Sequence, residues 1–146
     1  LSKLDQIIEP LKKEDRENLD KARSWVRDHF TPEARHKYEL LEEKIRLLQV
    51  ILDEGWIEKT ETQKLQSLGV TLGDMLCEKL GLTWVMVEDE YGRDPAVMVP
   101  KTTILAFPLT AISKRVEKGE KVDVRHLFDG FCELIEKRRS TAAQPD

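Results

Sequence analysis

The sequence predicts an α+β domain: three helices, then a small three-stranded antiparallel sheet, then two helices packed around it. Three observations carry this. Apolar residues recur at helical spacing through residues 12–80 and again through 108–139. Between these blocks lie three β-rich runs, Thr83–Glu88, Ala96–Val99 and Thr102–Phe107. Grouped strands between grouped helices favour α+β over a doubly wound sheet. A chain of 146 residues is one domain by length, here expected over residues 1–139. Residues 140–146, ending Gln144-Pro145-Asp146, read as a frayed tail.

The elements follow in order. Leu4, Ile7, Ile8 and Leu11 have helical spacing broken by Pro10 and read as a short lead-in turn. A first helix is expected from Lys12 to Phe30, with Leu19, Ala22, Trp25, Val26 and Phe30 on one side. Thr31-Pro32 punctuates it, since Thr caps well and Pro suits the first helical position. A second helix is expected from Pro32 to Glu54, its stripe of Leu41, Ile45, Leu48 and Leu52 widened by Leu40, Leu47 and Ile51. Gly55 ends it. Thr60 and Gln63 read as a capping box opening a third helix to Leu80, closed by Gly81. Gly69 and Gly73 lie four apart within it. Each costs about 1 kcal/mol relative to Ala, a loss that close approach of another helix or the sheet would offset.

The strands are apolar on both faces, so both faces need cover. Trp84 and Met86 point one way, Val85 and Val87 the other. Pro108 starts a helix to Lys118, stopped by Gly119. Asp123 caps the last helix, with Val124, Leu127, Phe128, Phe131 and Ile135 facing the core. Lys137, Arg138 and Arg139 sit near its C-terminal end, where cations suit the helix dipole.

Composition narrows the function. Net charge is −4, with 36% of residues charged, which disfavours nucleic acid as the main ligand. No apolar run approaches the roughly 20 residues that span a bilayer. Cys77 and Cys132 fall on apolar helix faces and read as free buried thiols, which fits a reducing cytoplasm. The chain begins at Leu1 rather than Met, so a removed leader stays open.

Chemistry is concentrated in one place. Glu88, Asp89, Glu90, Tyr91, Arg93 and Asp94 form the tip of an expected hairpin between two apolar runs. Its four carboxylates offer hard oxygen ligands, but their spacing is not that of an EF-hand loop. Turn chemistry with Arg93 paired to a neighbouring carboxylate explains the segment more simply. His29, His36 and His126 form no zinc pair and read as surface or cap histidines. No Cys-x-x-Cys, Gly-x-Ser-x-Gly, Ser-x-x-Lys or phosphate-binding glycine pattern occurs. Of the three tryptophans, Trp56, just after Gly55, is the candidate for exposure and a partner contact.

The stretch Trp84-Val85-Met86-Val87-Glu88-Asp89-Glu90-Tyr91-Gly92-Arg93-Asp94-Pro95 resembles a bacterial family catalogued as a domain of unknown function. The likeness begins in Leu68-Gly69-Val70-Thr71-Leu72-Gly73-Asp74 and continues through Thr103-Ile104-Leu105-Ala106-Phe107-Pro108-Leu109 and Ile112-Ser113-Lys114-Arg115, covering residues 63–136. It implies a small stand-alone bacterial domain and carries over no catalytic residues; no metal or cofactor is expected.

The expected function is therefore a non-catalytic protein-interaction domain, of which a toxin-neutralising immunity protein is the most concrete form. Its contacts are expected at Glu88, Asp89, Glu90, Tyr91, Arg93, Asp94 and Trp56, and its partner is expected to be another, basic protein rather than nucleic acid or membrane. Two alternatives stand beside it: a metal-dependent hydrolase using the hairpin carboxylates, and a self-associating structural domain, such as a homodimer.

Overall fold

A computed structural model describes residues 5–143. The described chain is mixed helix and antiparallel sheet, as expected, but the sheet has four strands. They are β1 (Ile7–Glu9), β2 (Thr83–Asp89), β3 (Gly92–Met98) and β4 (Leu105–Ala106), in the order β1-β2-β3-β4 and antiparallel throughout. The helices are α1 (Lys13–Arg27), α2 (Leu41–Asp53), α3 (Thr62–Leu80), α4 (Ala111–Glu117) and α5 (Val124–Ala143), with a 3-10 helix over Pro32–Glu39.

β1 replaces the expected lead-in turn. Its three residues have no periodicity of their own. They are extended because they pair with the far edge of β2, Ile7 opposite Glu88, Ile8 opposite Val87 and Glu9 opposite Met86. Leu4 lies outside the described residues. β3 is longer than expected and β4 shorter. Gly92, Arg93, Asp94 and Pro95, read as loop, are strand. Pro95 is tolerated because β4 pairs only with Val97 and Met98, leaving β3 an edge where no donor is needed. Thr102 and Ile104 form a tight turn instead of extending β4: the Thr102 Oγ1 donates to the Val99 carbonyl (2.7 Å) and accepts from the Ile104 N–H (3.0 Å).

The second expected helix is split. Leu40 is extended (φ −97°, ψ 130°) and serves as the N-cap of α2, so it leaves the apolar stripe and is 56% exposed. The 3-10 segment turns Tyr38 inward, where its hydroxyl hydrogen-bonds the buried Thr71 hydroxyl of α3 (2.8 Å). α3 begins at Thr62 with Glu61 at its N-cap, not at a Thr60 box. The Glu61 side chain instead accepts the Glu58 N–H and holds the preceding turn. Gly81 closes α3 in the left-handed conformation (φ 68°), as expected. Asp123 accepts the His126 N–H and caps α5. α5 runs on to Ala143, so Ser140–Ala143 are helix rather than tail, and Gln144-Pro145-Asp146 lie outside the described residues.

α3 is the centre of the domain. Leu65, Leu68, Leu72, Met75 and Leu76 are fully buried, and α1, α2, α4, α5 and the sheet all contact it. Its two internal glycines have structural causes. A Cβ on Gly69 would collide with the Leu109 carbonyl, and one on Gly73 with the Trp84 ring. One sheet face, with Trp84 and Val97, joins this main core. The other carries a separate cluster of Val85, Val87 and Ala96, flanked by Ile8, Met98 and Leu105. Both faces are thus buried within one chain. α5 is tied to the sheet end of the domain by Arg139, which donates to the Leu80 carbonyl (3.1 Å), and by Arg138, which donates to the Leu105 carbonyl (3.5 Å).

Candidate functional site

The β2–β3 hairpin closes in a two-residue turn, Glu90-Tyr91, with Asp89 opposite Gly92. Gly92 takes φ 127°, a conformation L side chains rarely adopt, and Asp89 Oδ1 accepts the Tyr91 N–H (2.8 Å). The turn leaves Tyr91 86% exposed at the apex. Successive strand residues alternate between faces. Glu88 therefore sits on the α1 side with its cross-strand neighbour Arg93, while Asp89 and Asp94 project from the opposite side. The carboxylates spread around the tip rather than converging. Among the described residues, no three His, Cys, Asp or Glu side chains gather where they could hold a metal ion.

Arg93 belongs to the root of the hairpin. Its Nη1 and Nη2 donate to Asp15 Oδ1 and Oδ2, both at 2.7 Å, and its Nε donates to Glu9 Oε1 at 2.9 Å. One guanidinium thus joins β3 to both β1 and the start of α1. Two-pronged pairs of this kind fix geometry as well as supply energy. Asp15 Oδ2 also accepts the Lys12 N–H (2.8 Å), capping α1. Asp15 is 8% exposed. The hydrogen bonds from Arg93 hold its pKa at about 2 against an ordinary 3.8, outweighing the burial that pushes it up.

A second polar cluster fixes the other end of α1. Arg23 donates to both oxygens of Asp74 on α3 (2.5 and 2.8 Å) and to Asp20 (2.7 Å). Trp84 Nε1 donates to the same Asp74 (2.8 Å), which sets the indole against Gly73. α1 is therefore pinned twice, to the sheet through Asp15 and to α3 through Arg23.

Trp56 lies far from the hairpin in sequence, at the end of α2, and is 53% exposed. It stacks on His29 (6.0 Å between ring centroids, 13° between planes), which meets Trp25 edge-on at 4.5 Å. His29 Nδ1 lies 2.9 Å from the Trp25 carbonyl, so this histidine caps the end of α1. His36 and His126 are exposed. Cys77 and Cys132 are free thiols.

Spacing alone marks Asp15, three residues after Lys12, as a plausible helix-cap acid. Nothing local to the sequence indicates its link to Arg93, and Glu9 carries no signal of its own.

The architecture is a helix-wrapped antiparallel sheet with a rooted acidic hairpin. Its family is a domain of unknown function: residues 44–128 match the model described as "Domain of unknown function (DUF3806)", and the chain belongs to that family. The match begins within α2 and stops within α5. No curated protein matches. Among solved structures, the fold is similar to that of a protein from Bacteroides thetaiotaomicron VPI-5482, determined at 1.50 Å resolution. The TM-score is 0.71 at 16% identity, over 87% of this chain and 47% of the other. The chain thus spans about half the length of that protein, and the likeness is one of fold. Among the described residues no helix is long and apolar enough to cross a membrane.

Proposed function

We propose that this chain is a non-catalytic protein-interaction domain that presents its acidic hairpin to a basic protein surface. The observation that carries this reading is Tyr91, 86% exposed at the apex of a two-residue turn and surrounded by Glu88, Asp89, Glu90 and Asp94. A tyrosine has only two side-chain torsions to fix, so it offers a large contact area at low entropic cost when a partner buries it. The carboxylates around it steer and orient a cationic surface. Arg93 supports the tip from below. Trp56 is a secondary contact on a different part of the surface. In its most concrete form the partner is a basic toxin, the domain is its immunity-type neutraliser, and the setting is the bacterial cytoplasm.

The test is binding of the cognate partner by calorimetry. Wild type is compared with Tyr91→Ala and with a variant whose Glu88, Asp89, Glu90 and Asp94 are all made amides. Tyr91→Ala is expected to weaken binding by about tenfold or more, in the range of aromatic hot spots. The amide variant is expected to slow association and flatten its dependence on salt. Wild-type affinity and salt dependence in both variants would move the contact away from the hairpin.

A further inference from the structure

A second surface lies along α1. One cavity of about 550 Å³ opens between α1 and α3, and another of about 320 Å³ opens between α1 and the hairpin root. Asn18, Leu19 and Pro95 line both, so the two are one groove. It runs from Glu14 and Arg93 at one end to Trp25 and Lys64 at the other. Glu14 and Trp25 are eleven residues apart on α1, about 16 Å at the helical rise. That length matches about five residues of extended chain.

The walls have a consistent chemistry. Leu19, Ala22, Val70, Pro95 and Leu109 make an apolar floor. Asn18, Gln63 and Gln66 stand along it, and among the described residues their side-chain amides make no hydrogen bond. The contrast is Gln49, whose amide is fully engaged: it donates to Asp53 and the Val122 carbonyl and accepts the Val124 N–H. A carboxamide offers both donor and acceptor, the complement of a peptide unit. The ends differ in charge. At the Trp25 end Lys64 is already neutralised by Glu61 (2.5 Å), while Lys21 has no ion pair among the described residues. Glu14 marks the other end, where Asp15 is already neutralised by Arg93.

We propose that this groove binds an extended segment of a partner protein. The segment places a cationic side chain at Glu14, an apolar side chain on the floor beside Trp25, and a carboxylate at Lys21. Its backbone N–H and C=O groups pair with the amides of Asn18, Gln63 and Gln66. The length of the groove and the opposite charges of Glu14 and Lys21, unpaired among the described residues, select an extended segment over a compact ligand, and the solvent-facing amides of Asn18 and Gln63 are free to pair with its backbone. The site stands on its own geometry and does not require the hairpin tip to be a contact.

The test is selection of a phage-displayed random heptapeptide library against the whole chain. Enriched peptides are then measured by fluorescence polarisation and by amide chemical shifts. The expected peptides have a basic residue and an acidic residue flanking an apolar centre, and they shift amides in Asn18–Trp25 and Gln63–Val70. Ala22→Trp, which fills the floor, is expected to weaken them by about tenfold. Lys21→Glu, a surface change that leaves the fold intact, is expected to weaken the same peptides severalfold. The hairpin amide variant is expected to bind them as wild type does. Failure to enrich any peptide would overturn the proposal, as would peptides indifferent to both Ala22→Trp and Lys21→Glu. Peptides lost only in the hairpin amide variant would place the contact at the tip, sparing the hairpin reading and removing this one.

Discussion

Arg93 and Asp15 are 78 residues apart, yet they form a two-pronged ion pair with both N–H to O distances at 2.7 Å. The pair fastens the acidic hairpin to the first turn of α1. It also makes a pH prediction, because Asp15 is held at about 2 in the folded chain against an ordinary value of 3.8. A carboxyl with a depressed folded pKa stabilises the fold in full above its unfolded pKa and ceases to do so as pH falls through the folded one. Wild type should therefore be more stable than Asp15→Asn at pH 7. The gap should narrow between pH 3.8 and about 2. Urea unfolding of both proteins across this range checks it; a gap that is constant with pH would mean that the carboxylate charge is not what stabilises the fold.

Asp74 serves three donors at once, two from Arg23 and one from Trp84. Its side chain is 17% exposed and that of Arg23 29%. Asp74→Ala would leave the half-buried Arg23 guanidinium with Asp20 as its one remaining acid and strand the Trp84 indole N–H. The expected loss is about 2–3 kcal/mol in urea unfolding, from unpaired polar groups. Trp84→Phe removes only one of the three donors and should cost less. In the double variant the two losses should not add, because both act through the same carboxylate.

Cys77 sits on α3, where burial pushes its thiol pKa up to about 12. Only a small fraction is thiolate at pH 8, and the thiolate is the reactive form. Iodoacetamide should leave Cys77 unmodified in the native protein and label it once urea unfolds the chain. Mass spectrometry of peptides from both conditions reads this directly. Rapid native labelling would mean that α3 opens locally well below the global unfolding energy.

The helices were largely legible because their signals are local. The apolar stripe of α3, the left-handed Gly81 after it, and Asp123 ahead of α5 all report within one or two turns. The exposure of Trp56 was legible too, since it follows the glycine that ends α2. What escaped was fixed by pairing across the chain. Ile7-Ile8-Glu9 is a strand only because β2 offers it an edge. Leu40 drops out of the α2 stripe because Tyr38 must reach Thr71 through a 3-10 turn. Arg93 was expected to find an acid nearby on the hairpin, and its partners are Glu9 and Asp15. At the tip, composition indicated the carboxylates, and only the register reveals that the pleat distributes them to opposite sides. The α1 groove had no sequence signal, since it is made by spacing between elements.

The glycines supply a contrast that isolates close packing from helix propensity. Gly69, Gly73 and Gly130 all lie inside helices, and Gly→Ala in an open helical site should stabilise by about 0.5–1 kcal/mol. Gly130 on α5 is such a site, since a Cβ there would meet nothing within 4 Å. At Gly69 the added methyl meets the backbone of Leu109, which cannot rotate away. At Gly73 it meets the Trp84 ring, itself held by Asp74. Overpacking of this kind costs about 1–3 kcal/mol. Gly130→Ala should therefore raise the thermal midpoint, and Gly69→Ala and Gly73→Ala should each lower it. Trp84→Phe offers a further discrimination, because the smaller ring vacates the space that the Gly73 methyl would enter. Gly73→Ala should cost less in the Trp84→Phe background than in wild type, and equal costs in the two backgrounds would show that the indole is not what the glycine accommodates.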